Sequence, residues 1–261
     1  MLKQTFSACT FATLLFASHT ALATTVQFQT VMGDFEVNLY DETTPETVAN
    51  FLAYVEAGDY TQTFIHRSMP EFIIQGGGFA YDEQQEKAVE IDDRGSVVNE
   101  PVWSNRKGTI AMAKLGSDPN SATSEWFFNL KDNHANLDIQ NGGFTVFGEV
   151  IGDGMEVVEA IAELPRFNLG GVYKNLPLRN YTADDAEAEE PVTPDHLVSI
   201  TAIVVLDASP DTAADLDPVP NTLIDEAGKD ADNSSSGSLS GWVLFLLASL
   251  GLTRLTRSRR V

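Results

Sequence analysis

Apolar and polar residues alternate twice near the start of the chain, in Val26-Gln27-Phe28-Gln29-Thr30-Val31 and in Phe35-Glu36-Val37-Asn38-Leu39. Alternation sends one set of side chains to a buried face and the other to water, which marks a half-buried strand. Gly33-Asp34 lies between the runs and supplies turn chemistry, so the two predict a hairpin. The period then changes. Thr44 is a candidate N-cap, Pro45 suits the first helical position, and Val48, Phe51, Leu52 and Val55 fall on one stripe before Gly58. Short β-type runs follow around residues 63–67, 72–75, 108–113, 126–130 and 144–150. A second amphipathic helix is predicted from Gly154 to Leu164, with Val157, Val158, Ile161 and Leu164 inward. A β-branched run from His196 to Leu206 closes the series. Many short strands, Gly/Asn/Asp turns and two helices predict a mainly β fold, a closed antiparallel barrel with helices at its ends. The stretch from Pro165 to Pro194, with Gly170-Gly171 and an acidic run, reads as a surface loop.

The ends break this pattern. Residues 1–23 read as a secretory signal: Lys3, a short apolar run from Phe6 to Phe16, and the small-residue site Ala21-Leu22-Ala23. Removing it also removes Cys9, the one cysteine, so the mature chain is indifferent to an oxidising compartment. The folded domain is expected over residues 24–207. Residues 208–236, rich in Asp, Ala, Pro, Asn and Ser, read as an acidic flexible linker. Residues 237–261 form a tail: separated glycines, the 14-residue apolar stretch Leu239–Leu252, then Arg254, Arg257, Arg259 and Arg260. The stretch is short of the ~20 residues that span a bilayer squarely, and the arginines would stay cytoplasmic. The order of linker, Gly/Ser, apolar stretch and arginines resembles the GlyGly-type sorting tails of Gram-negative bacteria, which a rhomboid-like protease cuts. A plain inner-membrane anchor is the other reading.

Composition narrows the partners. The 261 residues carry 16 Lys+Arg against 38 Asp+Glu, a net charge of −22. Five of the cations sit in the two ends, which hold no acids, so the middle carries 11 cations against the same 38 acids. Such a surface excludes nucleic acid and anionic lipid as electrostatic partners. A soluble monomer is expected.

The familiar catalytic sets are missing. Mature histidines His66, His134 and His196 have no metal-ligand spacing, no Ser stands in a G-x-S-x-G turn, and Gly76-Gly77-Gly78 lacks a following Lys-Ser/Thr. Three segments are informative. The first is Phe64-Ile65-His66-Arg67-Ser68-Met69-Pro70-Glu71-Phe72-Ile73-Ile74-Gln75-Gly76-Gly77-Gly78-Phe79, a single arginine in an apolar strand and turn. Burying a guanidinium stem is unfavourable unless something uses the head. The second runs from Gly108-Thr109-Ile110-Ala111-Met112-Ala113 to Ala122-Thr123-Ser124-Glu125-Trp126-Phe127-Phe128-Asn129. The third is Asn136-Leu137-Asp138, then Phe144-Thr145-Val146-Phe147-Gly148. His66 adjoins Arg67 in a strand, so if Arg67 faces a groove, His66 faces the core. Phe72 and Gln75 are an odd number apart and share a groove only if the strand bends or ends between them. Taken singly, Arg67 could be a structural ion-pair partner, Phe72 and Phe127 core residues, and Gln75 a partner for backbone groups.

In this order and spacing the three segments resemble the cyclophilin-type peptidyl-prolyl cis/trans isomerases, over roughly Thr25 to Leu206. The resemblance implies a closed eight-stranded antiparallel barrel capped by two α-helices, and an isomerase that needs no metal or cofactor. It implies Arg67 as the catalytic group, Phe72, Phe127 and Leu137 as walls of a proline pocket, and Gln75 as a peptide-backbone contact. Ala113 joins the same binding surface. Ile73 stands where Met is common, Glu71 where Gly is common, Asn136 where Trp or Phe is common, and Phe144 where His or Tyr is common. Glu125 stands where Gln is usual, bringing a carboxylate that could draw Arg67 into a static pair; a proline-binding module with little turnover is then the alternative function. The implied partners are proline-containing segments of exported client proteins, with an inner-membrane tether or sorting protease acting through the tail.

Overall fold

A computed structural model describes residues 24–208 and 216–224; the leader and apolar tail read from the sequence lie outside them. The chain opens with β1 (Thr25–Thr30) and β2 (Phe35–Leu39), the expected hairpin. Helix α1 (Pro45–Ala57) carries Pro45 in its first turn and ends at Gly58, whose φ of 74° is the left-handed conformation glycine adopts freely. Thr44 stands at the N-cap position as predicted, but its side chain makes no capping bond. Its hydroxyl turns back to the Tyr40 carbonyl, and the Glu100 carboxylate takes the first-turn amides instead, with Thr47 N at 2.9 Å.

The run near residue 65 gives two short strands, β3 (Thr63–Phe64) and β4 (Arg67–Met69). Then come β5 (Ile73–Gly76), β6 (Phe79–Asp82), β7 (Lys87–Glu90), β8 (Thr109–Met112) and β9 (Trp126–Asn129). After the one-turn helix α2 (His134–Leu137) follow β10 (Val146–Ile151) and α3 (Gly154–Glu163). The predicted surface loop holds β11 (Arg166–Phe167), β12 (Leu176–Pro177) and α4 (Ala183–Glu187), before the long β13 (Ser199–Asp207). That loop packs Leu176, Leu178 and Tyr181 into a buried apolar cluster with Phe64, Phe79 and Leu197.

The fold is mainly β, as expected, but it is not one closed eight-stranded ladder with two helices. Among the described residues eleven strands share one sheet, in the order β4-β5-β9-β8-β10-β2-β1-β13-β3-β6-β7, with ends at β4 and β7. The cause is local. The chain breaks at Ile65-His66, so β3 pairs with β13 and β6 while β4 pairs with β5. Single hydrogen bonds from Ile65 N to Val198 O and from His66 N to Gln75 O bridge the break, each near 3 Å. The one-turn helices α2 and α4 are too short to leave a periodic signature, which is why only α1 and α3 were foreseen.

The core lies between the sheet and the two longer helices. Phe28 is at its centre, 5.0 Å from the Phe35 ring, 5.1 Å from Trp126 and 5.4 Å from Phe128. The Phe35 ring is stacked and the other two are edge-on, contacts that add to the burial itself. On the other side of β5, β9 and β8 a second buried cluster forms from Tyr40, Ile73, Ala111, Ala113, Phe127, Leu137, Phe144 and Val146. Part of the predicted linker belongs to the folded unit. Ser104 N donates to Val219 O and Asn221 N to Val102 O, and Leu216 packs against the second cluster.

Candidate active site

The register of four strand pairs sets the site. Arg67 lies opposite Gln75, Gln75 opposite Phe127, Phe127 opposite Ala111, and Ala111 opposite Val146, one row across β4, β5, β9, β8 and β10. Directly opposed residues share a face. Ile73, two residues before Gln75, shares it too, while Ile74, Trp126, Phe128 and Ile110 turn into the main core. Both faces of these strands are therefore apolar, which explains their near-continuous apolar sequence.

The Phe72 problem resolves because the strand starts after it. Glu71 has φ of 54° in a turn where Phe72 N donates to Met69 O at 3.0 Å. Asn133 Nδ2 holds Phe72 O at 2.9 Å and reaches Asn129 Oδ1, fixing the turn to β9. Phe72 packs, half-buried, on the cluster of Ile73, Phe127, Leu137 and Phe144. Phe144 meets Phe127 edge-on at 5.7 Å. Leu137 is held from behind by Asp138, whose carboxylate accepts from Ser104 Oγ at 2.6 Å and Asn105 N at 2.8 Å.

The polar half begins at Arg67. One guanidinium nitrogen donates to Gln75 Oε1 at 3.1 Å and the other contacts Met69 Sδ at 2.7 Å. Burial lowers the Arg67 pKa, and the Glu125 carboxylate opposes that. Glu125 and Arg67 attract one another, and Gln75 links the two: its Nε2 donates to Glu125 Oε2 at 2.5 Å and its Oε1 accepts from Arg67. His66 faces inward as expected, 1% exposed, with its ring 4.9 Å from Phe79 and its Nε2 3.4 Å from Glu125 Oε2. Burial alone would raise the Glu125 carboxyl, but His66, Gln75 and Arg67 together hold it below the usual range.

All nine residues singled out from the sequence, Arg67, Phe72, Ile73, Gln75, Ala113, Glu125, Phe127, Leu137 and Phe144, thus belong to one surface. Sequence reasoning passed over two groups that shape it. Asp138 enters the third segment only as the neighbour of Leu137, and Lys114 belongs to none of the three segments. Lys114 is 3% exposed, donates to the carbonyls of Asn141 and Gly143, and lies 4.9 Å from the centre of the Phe144 ring. Burial pushes its amine down to about 8, with Asp118 opposing. Its place directly after Ala113 was the available signal.

Residues 25–183 match the family described as cyclophilin type peptidyl-prolyl cis-trans isomerase/CLD. A peptidyl-prolyl cis-trans isomerase of Acinetobacter baylyi is 39% identical over 165 residues, 63% of this chain and 85% of that protein. Peptidyl-prolyl cis-trans isomerase B of Escherichia coli is 35% identical over 63% of this chain and 99% of its own length. A crystal structure of a cyclophilin type isomerase from Cryptosporidium parvum superposes with a TM-score of 0.50 at 22% identity, covering 71% of this chain and 98% of that one.

Proposed function

The chain belongs to the cyclophilin-type peptidyl-prolyl cis/trans isomerase family and is such an isomerase, and from that premise we propose that Arg67 accelerates rotation about X–Pro bonds in exported client proteins. Rotation about the bond breaks amide resonance, a barrier of roughly 18–20 kcal/mol that makes the unaided step take tens to hundreds of seconds. In the twisted state the proline nitrogen becomes pyramidal and regains a lone pair. A fixed donor aimed at that lone pair favours the twisted state over either planar one, and this difference is what lowers the barrier. Arg67 suits the task because its head is always charged and is steadied by Gln75 Oε1 and Met69 Sδ. Phe72, Ile73, Phe127 and Leu137 hold the proline ring while the preceding residue turns, with Ala113 and Phe144 extending the apolar surface. Gln75 offers its amide to the peptide backbone.

The observation that carries this reading is the row that sets Arg67 beside Gln75 and Phe127 at the edge of the apolar cluster. Its test is prolyl isomerisation by Arg67→Ala. Loss of a charged donor to the transition state removes roughly 2.7–4 kcal/mol, about 100- to 1,000-fold in turnover, with peptide affinity kept. Near-normal turnover in that variant would remove Arg67 from the mechanism.

The same reading places the enzyme outside the cytoplasm, on clients that fold there. The signal-like residues 1–23, the cysteine-free remainder and the apolar-plus-Arg tail support it. Cleavage is expected near Gly237–Gly241, where glycines make a helix easy to unwind. The intact mass of the protein from its native host tests this: a mass that retains Trp242 to Val261 means a tethered enzyme instead of a released one.

A further inference from the structure

Glu125 is pressed against the glycine triplet. A Cβ on Gly78 would lie 2.7 Å from Glu125 Cγ and Oε1, and one on Gly77 would lie 2.7 Å from Ser124 O and closer still to Trp126. The triplet is therefore a seat for the Ser124–Trp126 backbone and the Glu125 side chain. In that seat the carboxylate is 18% exposed and points at the far end of the Gln75 amide.

Donor and acceptor chemistry fixes the consequence. A carboxylate only accepts and a guanidinium only donates. Gln75, caught between Glu125 and Arg67, satisfies both in a single orientation: Nε2 toward the carboxylate at 2.5 Å, Oε1 toward the guanidinium at 3.1 Å. A neutral amide at position 125 could meet either end of the Gln75 amide and would leave Arg67 as the one group of this pair that selects the orientation. We propose that Glu125 is a positioning residue, whose charge pins the Gln75 amide with its oxygen toward Arg67 and so holds the guanidinium in its reactive orientation, with His66 bracing the carboxylate from the core side. The inference rests on the isomerase reading of Arg67 and adds a residue to it.

The charged and titratable groups facing Glu125 are known. Arg67 comes from β4, His66 from the break before it, Tyr60 from the turn ahead of β3, and Tyr173 from the loop between β11 and β12. Burial raises both tyrosines, so they stay neutral through the working range. The carboxyl is held below its ordinary value. Pinning is therefore complete at neutral and mildly acid pH and is lost only as pH falls through that depressed value.

The experiment compares the wild-type chain with Glu125→Gln, an isosteric change. Turnover of a proline peptide should fall about tenfold in kcat while its Kd stays within about twofold, the signature of misplaced catalytic geometry. Wild-type kcat should decline only as pH falls below the ordinary carboxylate range, and the variant should show no such limb. The Gln75 side-chain amide protons, followed by NMR, should exchange slowly in the wild type and rapidly in the variant, a readout independent of turnover. An active wild type matched by the variant at every pH would overturn the positioning role alone. An inert wild type with a pinned Gln75 would support the pinning and overturn the isomerase reading.

Discussion

The two halves of the groove are built by different means. The apolar half, Phe72, Ile73, Phe127, Leu137 and Phe144, is shape made from burial: each residue contacts several others, and the surface depends on their sum. The polar half, Arg67, Gln75, Glu125 and His66, is a relay of polar contacts, so each orientation depends on its neighbour. The contrast teaches that substitutions should separate by readout. Damage to the first half is felt in stability and affinity, and damage to the second in turnover.

The largest blow to that separation comes from Phe127, which is 3% exposed and stands at the junction of the two halves, opposite Gln75. Phe127→Ala should lower stability by about 3 kcal/mol, at the lower end of the range for such truncations because the site opens to the groove. Peptide affinity should fall with it. Denaturant unfolding and calorimetric titration check both; an unchanged midpoint would mean that the apolar half does not support the sheet. Comparable in size is the turnover loss expected of Arg67→Ala, which should leave the unfolding midpoint close to that of the wild type.

The smallest effect is a slope. Lys114 braces the Phe144 loop, and its folded amine titrates at about 8, below its ordinary value of 10.5. Between those values the unfolded chain binds more protons than the folded one. Stability should therefore rise with pH across that window, by no more than about 1.4 kcal/mol per unit. Urea unfolding between pH 7.5 and 9.5, before tyrosines of the unfolded chain ionise, should show the rise in the wild type and not in Lys114→Met. Equal slopes would mean that Lys114 keeps its proton in the fold.

Much of the scaffold was legible because period and capping are local. The hairpin of β1 and β2, α1 with Pro45 and Gly58, and α3 all follow from residues next to one another in sequence. The residues of the site were legible through the three segments, and the inward turn of His66 through strand alternation alone. What sequence could not supply was any contact made across strands. Glu100, far from α1 in sequence, satisfies its first turn. Glu125 reaches Gln75, 50 residues away. The hairpin of β6 and β7 and the two-residue strands β11 and β12 are too short or too polar to declare a period.

The segment 216–224 has a practical bearing on where the molecule can be shortened. Pro220 bridges to Trp103, and Asn221 Nδ2 holds Asp138 O at 2.8 Å, directly behind the pocket wall at Leu137. A chain cut after Asp207 would keep every residue of the family match, which ends at 183. It would also return the Val102 and Asp138 carbonyls and the Ser104 amide to water, and uncover the apolar cluster where Leu216 now packs. The recognisable length and the folding length of this chain are therefore different, and the boundary for any truncated form lies beyond Ile224.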